Sequence, residues 1–237
     1  PLQAPDETMH FLRAYSIASG HFYYDQNEDF PTDVDLLVAD FPGNYNFAFP
    51  LTEDASIADA FARYQDHLAK GNAEAENAST PVQQFLPYLP QAAGIALGRL
   101  FGANALVCLY LCRITNLLCY ALLCYWGIRF AARFRAIFTA LCCVPIGLFM
   151  AASASSDGLL LGLQWLFIGI CLTDRLDTRK AVLLAVSFGG GLVLTQLGLS
   201  WRRWVQGVLL LAVGATFLMM VYWVNREVES RQDAVPW

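Results

Sequence analysis

The chain has 237 residues, 57% of them hydrophobic, with a mean hydropathy of +0.43. That is too apolar for an ordinary soluble domain and points to a membrane protein. Residues 1–90 hold fourteen Asp/Glu against three Lys/Arg, and the remainder holds six against twelve. An acidic front followed by an apolar stretch with basic connectors reads as one aqueous and one membrane region. Nucleic acid is excluded as a partner, because the acidic part repels phosphate and the basic residues are scattered.

The first informative stretch is Pro5-Asp6-Glu7-Thr8-Met9-His10-Phe11-Leu12-Arg13-Ala14-Tyr15. Pro5 suits the first position of a helix, and Asp6 and Glu7 then fall in a first turn that favours negative charge. With Asp6 and His10 at i,i+4 and His10 and Arg13 at i,i+3, one helix face presents carboxylate, imidazole and guanidinium together. The plain alternative is a capped, charge-paired surface helix. Behind it come Gly20-His21-Phe22-Tyr23-Tyr24 and an acidic loop with Pro31 and Asp33-Val34-Asp35. Pro, Gly and Asn between Asp40 and Pro50 argue for an ordered loop. Ile57, Phe61, Tyr64 and Leu68 recur at helical spacing and predict an amphipathic helix over about 57–70. Asn77-Ala78-Ser79 is formally a glycosylation sequon.

Pro81 to Gln91 is rich in Pro and aromatic residues, with Phe85 and Tyr88 as interface anchors. A helix over about 92–101 carries Gly94 and Gly98, small residues that permit close helix contact, and Arg99 is expected at the interface or snorkelling. Residues 105 to about 128 form the first convincing membrane span, with Arg113 and Asn116 inside it. An ionised Arg there must face protein, water or a lipid phosphate. Arg129, Arg133 and Arg135 read as a cytoplasmic connector. The next span, about 136–152, is expected to kink at Pro145. Ser153-Ala154-Ser155-Ser156-Asp157-Gly158 makes a polar turn on the outer side, and 158–173 returns to a basic connector holding Arg175, Arg179 and Lys180. Spans over about 181–199 and 204–224 complete the set, although Arg202 and Arg203 sit awkwardly on the outer side. All seven Cys, at 108, 112, 119, 124, 142, 143 and 171, lie in apolar runs and read as small packing residues.

Four stretches carry a resemblance to a known family. They are Pro5-Asp6-Glu7-x-x-His10-Phe11-x-Arg13-Ala14-Tyr15, then Tyr88-Leu89-Pro90-Gln91 with Gly94 and Arg99, then Leu111-Cys112-Arg113-Ile114-Thr115-Asn116-Leu117, then Ala151 to Gly158. In this order, over residues 1 to about 175, they resemble a bacterial family of multi-pass membrane proteins, domain of unknown function 2142. That family looks like a relative of the GT-C glycosyltransferases, which use polyprenyl-phosphate sugars and carry an early catalytic acid in the first outer loop. The sequence opens on Pro1, where such a loop would follow a first helix, and is read as a fragment or a shortened member.

The resemblance implies an all-α, multi-span transmembrane helix bundle of about five spans, GT-C-like, in a bacterial inner membrane. Residues 1–90 are its extracytoplasmic region, 91–224 its membrane region and 225–237 a polar tail. The implied activity is transfer of a sugar from a polyprenyl-phosphate donor to a cell-envelope glycan acceptor, with membrane lipid as a further partner. Such transfer needs a base near the acceptor hydroxyl and positive charge at the departing phosphate. Asp6, Glu7 and His10 are the candidates for the catalytic role; Arg13, Arg113 and Asn116 for donor binding. Asp6 and Asp157 are the candidate ligands of Mg²⁺ or Mn²⁺. Two other functions compete, a non-catalytic assembly subunit and a transporter of envelope precursors. Zinc-peptidase chemistry is rejected, because Asp6 stands where the first His of the His-Glu-x-x-His motif is required.

Overall fold

A computed structural model of the chain describes residues 6–22, 29–41, 57–70, 85–131 and 134–173, together with Leu2, Ala4, Lys180, 182–184, 186 and 187. Pro5, the 42–50 loop, the sequon, Arg133, Arg175, Arg179, the two last expected spans with Arg202 and Arg203, and the polar tail lie outside these residues, apart from those few positions of the 181–199 span.

The described residues are helical and contain no strand. They form α1 (Glu7–Ala18), α2 (Thr32–Asp40), α3 (Ile57–Lys70), α4 (Leu89–Leu100), α5 (Ala105–Phe130), α6 (Arg135–Cys142), α7 (Pro145–Ala151) and α8 (Asp157–Cys171). The amphipathic helix at 57–70 and the first span are where the sequence puts them. By contrast, α2 occupies what reads as an acidic loop. Pro31 precedes it in extended conformation, Asp33 and Asp35 lie in its first turn where the dipole favours them, and Val34 and Leu37 are buried one turn apart.

The central element is α5, flanked by α4 on one side and α8 on the other. Its 26 residues extend about 39 Å at roughly 1.5 Å per residue, more than the ~30 Å hydrocarbon of a bilayer. It is the one helix among the described residues long and apolar enough to cross a membrane, and α8 is a shorter apolar helix of 15 residues. The expected span at 136–152 is two helices rather than one kinked helix. Val144, forced out of the α region by the proline after it, is extended (φ −59°, ψ 129°) and separates α6 from α7. The break exposes the Cys142 carbonyl, which accepts a 2.7 Å hydrogen bond from the Tyr120 hydroxyl.

Packing divides along α5. Its first half joins α1, α2 and α4 in one apolar core containing Phe11, Leu37, Ile95, Leu109 and Cys112. Its second half joins α6, α7 and α8 in another around Tyr120, Cys124 and Phe138. The outward face of α5 is apolar: Ile114, Leu118 and Leu122 are 51%, 57% and 61% exposed. Tyr125 and Trp126 follow, half exposed, near Arg129 at the helix end. Such a stripe suits acyl chains, with aromatic residues and Arg at one boundary. All seven cysteines are free, five of them buried.

Glycines set how closely the helices approach, from Gly94 on α4 to Gly169 on α8 against Gly127 of α5. A Cβ on Gly94 would lie 2.5 Å from Thr115 Oγ1 and 2.6 Å from the Leu111 carbonyl oxygen, so α4 meets α5 at backbone distance. A Cβ on Gly158 would lie 2.7 Å from the Asn116 side-chain nitrogen. Gly94→Leu should therefore force α4 from α5 and lower stability by about 1–3 kcal/mol or more, whereas Ala93→Leu on the exposed side should change it little. Thermal unfolding of the detergent-solubilised protein measures both.

Candidate functional site

Glu7 is the second residue of the Asp-Glu pair, but the helix begins at it. Its side chain is fully buried and turned inward, against α5. Arg113 Nε donates to Glu7 Oε1 at 2.8 Å, and Arg113 Nη2 donates to Oε2 at 2.6 Å. The backbone N–H of Ala154 donates to Oε1 at 3.0 Å, and that of Ala4 to Oε2 at 3.2 Å. Each carboxylate oxygen thus accepts two hydrogen bonds. Burial by itself would raise the Glu7 pKa. Hydrogen bonds and charge from Arg113, with the two backbone N–H groups, outweigh it and hold the carboxyl below the usual carboxylate range.

This one side chain ties the start of α1 to the middle of α5 and to the 153–157 turn. Amide groups secure the same turn from its other side. Asn116 Nδ2 donates to the carbonyls of Ser153 (2.9 Å) and Ser155 (3.0 Å), and Gln91 Nε2 donates to Ser155 at 2.8 Å. The amide oxygens of Gln91 and Asn116 are buried and accept no hydrogen bond from the described residues. The turn also braces itself, since the N–H groups of Ser155 and Asp157 donate to the Ser153 and Ser155 hydroxyls.

Asp6 lies just outside α1 with φ +53°, the left-handed region that non-glycine residues enter at a cost of about 1–2 kcal/mol. Its side chain is exposed and makes no capping hydrogen bond. His10 turns away from it and places Nδ1 2.5 Å from the Tyr88 hydroxyl. Arg13 is 1% exposed; its guanidinium donates to the carbonyl of Phe22 at 2.7 Å and, at 3.4 Å, to that of His21 and to the Ser16 hydroxyl. Asp157 is exposed in the first turn of α8. Among the described residues no group of three or more His, Cys, Asp or Glu has the spacing to hold a metal ion.

A second ion pair braces the α4–α5 connection. Arg99 Nη1 and Nη2 donate to Asp33 at 2.8 and 2.9 Å, Asp33 also accepts from the Ala105 N–H at 2.7 Å, and the guanidinium lies 4.9 Å from the Tyr15 ring centre. Arg99 therefore points into the protein, not to an interface, because α2 brings a carboxylate to it. Tyr88 is also no interface anchor: it is 1% exposed.

Over residues 1–230 the chain matches the family model described as Predicted membrane protein (DUF2142). It belongs to that family. No curated protein and no solved structure matches it.

In this DUF2142 protein the expected face of Asp6, His10 and Arg13 is thus divided. Asp6 faces outward, His10 meets Tyr88, and Arg13 is drawn onto carbonyls beyond the end of α1. The expected donor-binding Arg113 and Asn116 hold Glu7 and the 153–157 turn. Sequence reasoning read Tyr88 as an interface anchor, Asp33 as part of an acidic loop and Gln91 only as part of a matching stretch, and it passed over the N–H of Ala154. For Asp33 and Arg99 a signal existed in their opposite charge; for a backbone N–H there was none.

The Glu7 pKa has a pH signature. A carboxyl depressed in the folded state contributes stability above its unfolded pKa of about 4.3, and loses it as pH falls through the lower folded value. Glu7→Gln should therefore lower the melting temperature clearly at pH 7, and the gap to wild type should close as pH falls below about 4. Melting curves of both proteins across pH 3–7 check this.

Proposed function

We propose that the chain is a glycosyltransferase-like protein of a bacterial inner membrane, moving a sugar from a polyprenyl-phosphate donor to a cell-envelope glycan on the outer side. The observation that carries this reading is Asp6. It is an exposed carboxylate held in costly backbone geometry, one residue before a side chain that is locked to an apolar, membrane-length helix. Strain of this kind collects where chemistry needs a fixed group.

In this reading Asp6 accepts the proton of the acceptor hydroxyl. The acceptor oxygen bonds to the anomeric carbon, the bond from that carbon to the phosphate oxygen breaks, and its electron pair leaves with polyprenyl phosphate. Glu7, which sequence reasoning placed second to Asp6, becomes a positioning group, since both its oxygens are taken. A divalent ion would neutralise the departing phosphate. Asp6 and Asp157 would hold Mg²⁺ or Mn²⁺ as part of a set shared with donor phosphate and water, since two carboxylates are too few for an all-protein cage.

One observation favours a non-catalytic assembly role. The arginines expected at phosphate, Arg13 and Arg113, both bond to protein groups. Surface-glycan composition separates the readings, comparing wild type, a deletion and Asp6→Asn at matched membrane abundance. A transferase predicts the same sugar lost in the deletion and in Asp6→Asn. Loss in the deletion alone gives the assembly role, and no change in either contradicts both.

A further inference from the structure

The register of the helices against α5 sets how far along it the candidate site lies. Helix α4 runs antiparallel to α5 beside its first half: Gly98 lies against Cys108, and Gly94, nearer the start of α4, against Leu111 and Thr115. Helix α8 runs parallel to α5 beside its second half, with Gly158 against Asn116, Gly162 against Leu123 and Gly169 against Gly127. The 153–157 turn is therefore level with Asn116, which bonds it, and Asp6 adjoins Glu7 at the level of Arg113. Both exposed carboxylates, Asp6 and Asp157, belong to the middle of a membrane-length helix and not to its end.

Two observations say where lipid lies. The outward apolar stripe of α5 does not stop at that level: Val107, Tyr110 and Ile114 continue it above, as Leu118 and Leu122 do below. At the α4–α5 connection Leu100 and Phe101 are 77% and 79% exposed. Charge gives the second observation. From Leu89 to Ile128 the only charged residues are Arg99 and Arg113, and each is met by a carboxylate, Asp33 of α2 and Glu7 of α1. Such pairing removes the need of either arginine for water or lipid phosphate. Exposed charges return on α3, at Asp59, Arg63, Asp66 and Lys70. That helix sits at the opening of α5, since Tyr64 bonds the Asp33 carbonyl and Asp33 bonds the Ala105 N–H. A hydrocarbon layer of ~30 Å, measured from Trp126, ends after about twenty residues, near Leu106 and at the level of α3.

The geometry points to acyl chains covering α5 and its connection to α4 from Phe101 to Leu122, with Asp6 and Asp157 in a water-filled recess below the outer surface of the membrane. The recess lies about ten residues of α5, or ~15 Å, beneath Leu106. Carboxylates at that depth stay exposed only if water reaches them. This deepens the transferase reading: a lipid-linked donor would meet Asp6 from within the outer leaflet, its tail still among acyl chains.

The test is photo-cross-linking of the protein in vesicles of phosphatidylethanolamine and phosphatidylglycerol, with adducts read by mass spectrometry. Four exposed positions are compared, as Phe101→benzoylphenylalanine, Val107→benzoylphenylalanine, Leu118→benzoylphenylalanine and Asp59→benzoylphenylalanine. Lipid adducts are expected at 101 and 107 as at 118, and none at 59. Adducts at 118 alone, with 101 and 107 joined to protein or unreacted, overturn the proposal, because the first half of α5 then stands outside the bilayer. A second arm reads the water: Asp157→Cys should take a membrane-impermeant maleimide above the wild-type background, and no rise overturns the recess. Neither arm measures activity. The transferase reading fails separately, if deleting the protein leaves every surface glycan intact while the lipid adducts stand.

Discussion

A carboxylate taken out of water keeps its charge only if its lone pairs find donors nearby, and Glu7 is held to that condition more strictly than any other group described. Two bonds come from one guanidinium and two from backbone N–H groups of separate segments. Removing either charge leaves the other buried without a counterpart, which costs about 3–5 kcal/mol in comparable pairs. The geometry therefore tolerates little movement of α1, α5 or the 153–157 turn. Arg113, which looks from the sequence like a costly charge within an apolar helix, is neutralised by a residue more than a hundred positions away.

The other polar contacts follow from that constraint. With Ala154 fixed on Glu7, Asn116 and Gln91 can close the turn from the α4–α5 side, and Gly158 leaves room for Asn116. Asp33 and Arg99 repeat the arrangement at the opening of α5. Both pairs use Arg, whose planar fork meets a carboxylate with two parallel bonds and so fixes orientation as well as distance. Between them the pairs bind an acidic, polar region to an apolar helix, which hydrophobic contact alone would orient loosely. What stays outward is Asp6, just before α1, and Asp157, at the start of α8.

Local pattern made part of this legible. The apolar run of α5, the period of α3, the small residues of α4 and the polar turn before α8 are properties of short windows. Pro145 was recognised as a disruption, but the cost falls on Val144 before it, so the result is two helices and not a bend. Helix α2 was hidden by its acidic first turn, which resembles a loop unless Val34 and Leu37 are read as one buried face. The site was least legible. Glu7 and Asp6 are adjacent and chemically alike, and only the position where α1 begins turns one inward and leaves the other exposed. Partner choice, as for Tyr88 with His10, depends on which helix starts meet, and no window of sequence contains that.

The most direct measurement is a double-mutant cycle on Glu7 and Arg113, comparing Glu7→Leu, Arg113→Met and the pair by unfolding of the solubilised protein. If the charge pair governs the assembly, each single variant loses several kcal/mol and the double variant recovers much of that loss, because both charges are gone together. Additive losses, with the double variant as unstable as the two singles combined, would show that Glu7 and Arg113 act independently and would contradict the account.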